Sequence, residues 1–419
     1  MKIYRLVTLL SPFMLGVLLA TFAPQAAAQL PPLNTIATDG LSQAGTGYYA
    51  QNTVWDKIGK KYYRFYLASG GYTRVVAYDI TTKTYSAPST VGYVGTDYHF
   101  YATAVVDSLG YFHVIHGMHN GTAKYSKSTY PGNVSAWTTT TLTTNMGTYP
   151  YLFIDSQNNL TAFYRAGGGP ITGDKVEMAR STDLGGTWTY STIVDLNDPA
   201  GSVGVYLSAE MSEGGVFHIA LAERTAWADN QTDFRDVLYF RSADGGITWT
   251  KRDGTAYTLP VSRSQADVVY AGRNVFVSSI DTDASGNPYI VIARQNSPVL
   301  DWFENSELLL ASWSNGAWIQ RTISSSLSHK YHARLKIFSN NSFAVYVPKA
   351  ISGITHTLVR YSSADGVTFS YKILACGPDA RAPQVAPEKN SPAAIVNFHS
   401  NSNLHTVDLA QGTGVTSCP

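Results

Sequence analysis

The chain has 419 residues, 30 Lys and Arg against 29 Asp and Glu for a formal net charge of +1, and two cysteines. Hydrophobic residues make up 44% and charged residues 14%, so the chain can bury a large core and is not disordered, and the balanced charge excludes a broad electrostatic hold on nucleic acid. Its 28 Tyr, 35 Gly and 18 Pro point to strands and turns rather than helices.

Lys2 and Arg5 precede an apolar run from Leu6 to Phe22, and Ala26-Ala27-Ala28 then supplies small residues. This is the layout of a secretory signal peptide over residues 1–28. The run contains Ser11, Pro12 and Gly16 and is short for a membrane span. Residues 29–419 are expected to form one exported domain, extracellular or periplasmic, that acts as a monomer with no membrane contact.

Similar segments follow in series, each reading strand, tight turn, strand, loop, strand. The first has Val54-Trp55, Lys61 to Leu67 and Thr73 to Tyr78. The second has Phe100 to Val106, a turn at Asp107-Ser-Leu-Gly, Tyr111 to His116 and Ala123 to Ser128. The third has Leu152 to Ile154, a turn from Asp155, Leu160 to Tyr164 and Val176 to Ser181. The fourth has Tyr206 to Met211, Val216 to Leu221 and Val237 to Ser242. The fifth has Val275 to Asp281, Tyr289 to Ala293 and Leu308 to Trp313. The sixth has Arg334 to Phe338, Phe343 to Val347 and Thr357 to Ser362. The last begins near Gln384 and includes Ala393 to Phe398 and Leu404 to Leu409. Seven units of roughly 50 residues predict an all-β, seven-bladed β-propeller of four-stranded antiparallel blades.

Two units end in a sharper pattern. Ser181-Thr-Asp183-Leu-Gly185-Gly-Thr-Trp188 and Ser242-Ala-Asp244-Gly-Gly246-Ile-Thr-Trp249 share Ser, Asp, Gly and Trp at the same spacing, and Ser363-Ala-Asp365-Gly366-Val-Thr-Phe369 is a shortened copy. They resemble Asp-boxes, in which the carboxylate caps backbone amides, Gly takes a positive φ and the aromatic packs on its own blade. Near the C-terminus, Cys376 and Cys418 are open to two readings: a disulfide tying the tail to the last repeat, or a metal site with His399 or His405.

Polar residues recur just before the first strand of a unit and at the end of its second. Asp97-Tyr98-His99 precedes Phe100, and His116-Gly117-Met118-His119 follows the next strand. Arg224 ends a second strand two units on, and His332 opens its unit where His99 opens its own. His113 and His218, both mid-strand, read as structural. Tyr164-Arg165 ends another second strand, and Arg180 stands just before an Asp-box.

The run from Asp97 to Ser128, followed by Ala162-Phe-Tyr-Arg165 and Met178-Ala-Arg-Ser-Thr-Asp183, resembles the BNR-repeat polysaccharide lyases, and within them the short seven-bladed ulvan lyases. Two histidines about twenty residues apart, then a tyrosine and an arginine, form the active site of that family. His99, His119, Tyr164 and Arg180 match in type, order and spacing. The resemblance implies β-elimination at a uronate of a sulfated, rhamnose-containing polysaccharide. It makes His99 and Tyr164 the base and acid in either order, and His119 and Arg180 the carboxylate binders, without cofactor or metal. The family's further tyrosine has no secure match; Tyr206 is the substitute considered. Arg165, Arg224 and Lys330 are candidate sulfate contacts, and His332 a further substrate contact. The alternatives are a rhamnose–glucuronate lyase, a rhamnosidase-type hydrolase on the same scaffold, or a non-catalytic carbohydrate-binding propeller. A sialidase is disfavoured because no Arg-Ile-Pro segment occurs.

Overall fold

The computed structural model describes residues 29–41, 51–97, 99–166, 175–196, 204–224, 234–295, 305–329, 332–351, 354–377, 379–389, 391, 395–400, 403–411 and 414–418. The expected leader, residues 1–28, lies outside them. The chain folds as an all-β propeller in which, among the described residues, every strand ladder is antiparallel. Leu33–Ala37 closes the circle by pairing with Asn403–Asp408, Leu33 opposite Val407, so the first strand completes the last sheet.

The number of blades differs from the expectation. Among the described residues the strands form five hydrogen-bonded sheets, of four, five, seven, four and eight strands, where the repeats predicted seven blades. The cause is local. Trp137–Ile154 is one continuous strand of 18 residues. Its first part pairs with His119–Ser128, Trp137 opposite Ser128, and its second part with Leu160–Ala166, Ile154 opposite Leu160. Two repeats therefore share one sheet. A pair between His329 and Lys349 joins two further repeats in the same way.

The turns are built as their residues demand. Asp107 Oδ1 accepts the amides of Leu109 and Tyr111 at 2.9 and 2.8 Å. Asp155 repeats this with Gln157 and Asn159, and Asp283 with Ser285 and Asn287. In the first Asp-box, Asp183 accepts the Thr187 amide at 2.8 Å and the Thr187 hydroxyl at 2.7 Å, while the Ser181 hydroxyl donates to it at 2.8 Å. These bonds hold the Asp183 carboxyl down to about 2. The second and third boxes repeat the pattern at Asp244 and Asp365. Trp249 is fully buried and meets Phe163 edge to face at 5.6 Å.

Sheets packed face to face bury both sides of their strands. Leu160–Ala166 and Phe217–Arg224 are buried at every position. His113 bonds to Tyr125 at 2.6 Å and Asp107 at 3.2 Å, and His218 bonds to Tyr239 at 2.6 Å, so both are structural as expected. Cys376 and Cys418 form a disulfide. Beside it the tail pairs with the preceding strand through Val415 and Ile373.

Candidate active site

The first strand of each repeat begins at one mouth of the propeller, and its partner strand ends there. Thr148 opposes Arg165, and Gly204 opposes Arg224. The loop from Ser89–Tyr93 to Thr103–Val106 crosses the same mouth carrying Asp97 and His99. Gly117 turns the chain back at φ +70, where a Cβ would come within 3.0 Å of Val94, and this delivers His119 to the loop.

Asp97 organises both histidines. Its Oδ1 lies 2.9 Å from His99 Nδ1 and 2.9 Å from the His99 amide, and its Oδ2 lies 2.6 Å from His119 Nδ1. The imidazole centroids are 4.1 Å apart. An ionised carboxylate only accepts, so each Nδ1 carries the proton and each Nε2 is left as the basic nitrogen. Burial acts to raise the Asp97 carboxyl, but the His99 amide and the two rings together hold it below the ordinary range. Burial, then the facing His119, and Arg165 lower the His99 pKa, while Asp97 opposes them. His99 is therefore neutral near pH 7.

An aromatic wall continues from this cluster. His99 lies 6.3 Å from the Tyr101 ring and 6.2 Å from the Tyr149 ring. Tyr101 and Tyr149 stack at 5.9 Å, and Tyr149 meets Tyr206 at 5.6 Å. The Arg165 guanidinium lies 4.8 Å from the Tyr149 centroid and 5.1 Å from that of Tyr206. Tyr149 takes φ +61, a conformation that bulky residues seldom adopt and that clusters at functional sites.

The structure thus brings His99, His119 and Tyr206 together, with Arg165 among them. Arg224 ends the equivalent strand of the next repeat and is buried, and half-buried His332 lies two residues before the strand Arg334–Ile337. Lys330 lies outside the described residues. Two expected site residues stand elsewhere. Tyr164 neighbours Arg165 in the strand, so its ring points to the opposite face. There it is fully buried among Ile115, Met118, Leu152 and Ala179, and its hydroxyl donates to Glu177 at 2.9 Å. Arg180 opposes Thr161, four residues and about 13 Å along the strand from Arg165. Its guanidinium lies against Gly245 of the second Asp-box, where a Cβ would come within 3.3 Å. Sequence reasoning missed Asp97 and Tyr149 as site members. Asp97 was legible as an acid two residues before His99; no sequence signal marks Tyr149.

Asp97, His99 and His119 each offer one donor atom within 4.8 Å of the others, so these three residues could also hold a metal ion. A separate cavity of about 640 Å³ opens at the opposite mouth, lined by Val106, Ile154, Met211, Glu210 and Glu388 but by none of the site histidines.

A sequence profile of BNR repeat-containing family members matches residues 60–326. Among solved structures, the chain is similar to an ulvan lyase of polysaccharide lyase family PL25 bound to -[GlcA(1-4)Rha3S]-, at 16% identity and TM-score 0.77, covering 91% of this chain and 99% of that one. It is similar to polysaccharide lyase Uly1 at 12% identity and TM-score 0.61, with the same coverage. A fungal alcohol oxidase of the AA5 family, in complex with copper, aligns at 11% identity and TM-score 0.52 over 93% of this chain and 79% of that one. No curated protein sequence matches the chain. At these identities the likeness is one of fold, that of a polysaccharide-lyase-like propeller.

Proposed function

The chain belongs to the BNR repeat-containing family, and from that premise we propose that it is a polysaccharide lyase cleaving a uronate polymer by β-elimination, with ulvan as substrate. The observation that carries this reading is one mouth holding a neutral, carboxylate-oriented histidine beside an arginine fixed between two tyrosine rings. The nearest argument for ulvan itself is the fold shared with a lyase bound to -[GlcA(1-4)Rha3S]-. The leader expected over residues 1–28 makes export part of the same reading.

Elimination needs three things. The uronate carboxylate must be neutralised so that the C5 proton becomes acidic, a base must remove that proton, and an acid must protonate the departing oxygen at C4. Arg165 supplies the first, because its fork binds a carboxylate bidentately and its plane is held by Tyr149 and Tyr206. His99 Nε2 takes the proton. The electron pair of the C5–H bond becomes the C4–C5 double bond as the C4–O bond breaks. Tyr149 gives its phenolic proton to the leaving oxygen. His119, held through its Nδ1–H by the same carboxylate as His99, orients the substrate by accepting a sugar hydroxyl at Nε2. Arg224 and His332 contact the chain farther along the mouth.

A glycosidase would need two carboxyl groups flanking the bond. The cluster described here supplies one, Asp97, and both of its oxygens are engaged by histidines. The test is ultraviolet absorbance of the unsaturated uronate while purified protein acts on ulvan. A rise lost in His99→Ala and in Tyr149→Phe supports elimination by this site. New reducing ends without a rise would make the protein a hydrolase.

A further inference from the structure

Tyr72 and Tyr93 are 40% and 54% exposed, although their rings meet edge to face at 5.3 Å. They are cross-strand partners at the edge of their sheet. Core packing does not explain two large aromatics left in water side by side. Their position gives them meaning. The chain leaves Tyr93, passes Val94, Gly95 and Thr96, and reaches Asp97. The amides of Val94 and Gly95 donate to the carbonyl of Gly71, next to Tyr72, at 2.8 and 3.1 Å. Gly95 packs so closely on Phe100 that a Cβ would come within 2.9 Å of its ring. The loop that holds Asp97 and His99 is thereby tied to the foot of the tyrosine pair. Four residue steps limit the Tyr93–Asp97 Cα separation to about 14 Å.

A cation stands beside the pair. Lys124 Nζ donates to the Tyr93 carbonyl at 2.6 Å and makes no ion pair among the described residues. An ammonium has three donors, and the carbonyl takes one.

We propose that Tyr72, Tyr93 and Lys124 form a second sugar subsite on the same face. One pyranose ring of the anionic polymer would rest on the tyrosines, with its sulfate or carboxylate on Lys124, while a neighbouring part of the chain reaches His99. The proposal rests on the lyase reading for the identity of the polymer. The ring faces offer an apolar surface to the C–H face of a sugar, and the cation matches the polymer's charge. Chain held here raises the local concentration of substrate at the histidines without touching the reacting atoms.

Elimination kinetics and affinity gel electrophoresis on ulvan test this with the whole mature protein. Tyr72→Ala/Tyr93→Ala is expected to raise KM about tenfold, to lower kcat less than twofold and to abolish most of the gel retardation. Tyr72→Phe/Tyr93→Phe, which keeps the ring faces, is expected to restore both. Lys124→Gln is expected to weaken retardation at low salt and to match wild type at high salt. Wild-type KM and retardation in a folded double-alanine variant would overturn the subsite and leave the lyase reading intact. Absence of unsaturated product from the wild type would instead remove the lyase reading. Gel retardation, compared between wild type and the double variant, then decides the subsite by itself.

Discussion

The guanidinium of Arg165 lies 4.8 Å from the ring centroid of Tyr149, and both belong to the wall that continues from His99. This stacking fixes the plane of the fork before substrate arrives. A lysine at the same position keeps the charge but loses the plane and the bidentate donors. Arg165→Lys is therefore expected to lower kcat/KM roughly 100-fold, about 2.7 kcal/mol of transition-state stabilisation. Arg180→Lys, at the other end of its strand, is expected to change it less than threefold. Equal losses in the two variants would restore Arg180 to the site.

In the proposed elimination, the pH dependence follows from the proton that His99 accepts. Its pKa is lowered by burial, then by His119. The base is active when unprotonated, so kcat/KM should be full above neutrality and fall on the acid side with an apparent pKa below the ordinary value of about 6.5. Asp97 acts to raise that pKa. Asp97→Asn should move the acid limb to still lower pH while lowering the plateau, since the amide offers one acceptor and one donor where the carboxylate offered two acceptors, and the two rings can no longer both be held as Nδ1–H tautomers. A pH–rate profile of both proteins checks the sign, and a limb that moves upward in the variant would remove His99 as the base.

Most of the architecture was legible because its punctuation is chemical. The Asp107, Asp155 and Asp283 turns and the three Asp-boxes use side chains that bond their own backbone, and such signals survive without tertiary context. The sheet count was not legible. Asn145, Gly147 and Pro150 punctuate the hand-over within Trp137–Ile154 as a turn between repeats would, yet the strand runs on while hydrogen bonding passes from one neighbour to the other. His99 and His119, which meet at Asp97, stood out in the sequence because they stand at a strand entry and a strand exit. The choice between Tyr164 and Arg165 was beyond reach for a physical reason. Every residue of Leu160–Ala166 is buried, so the polar and apolar alternation that would report which face meets the mouth is absent. Tyr149 precedes Pro150, a setting that favours extended backbone, yet it takes a positive φ that only the assembled mouth explains.

Buried histidines make stability fall in acid. His116 bonds to Thr73 and Ser126, and His218 to Tyr239. Burial pushes both down to about 3. Between the unfolded value of about 6.5 and that folded value, the unfolded chain binds protons that the folded chain does not. Stability contributed by the neutral rings is thus present above about pH 6.5 and declines as pH falls toward 3. Urea unfolding at several pH values should show this decline, and His218→Gln should flatten it. An unchanged slope in the variant would mean that His218 is not titrating in this window.

The two Asp-box tryptophans should differ in how much they stabilise the fold. Trp249 is fully buried, donates from Nε1 to the Gly246 carbonyl at 3.1 Å, and packs edge to face on Phe163. Trp188 is only half-buried and meets Tyr125 at 5.4 Å. Truncating a buried tryptophan removes its transfer free energy and leaves a cavity, typically about 3–5 kcal/mol. Trp249→Ala is expected in that range, with Trp188→Ala at less than half of it. The boxes sit on outer turns, away from His99, so kcat measured well below the melting temperature should stay within twofold in both variants. A Trp188→Ala loss equal to that of Trp249→Ala would show that exposure of the ring does not set its contribution.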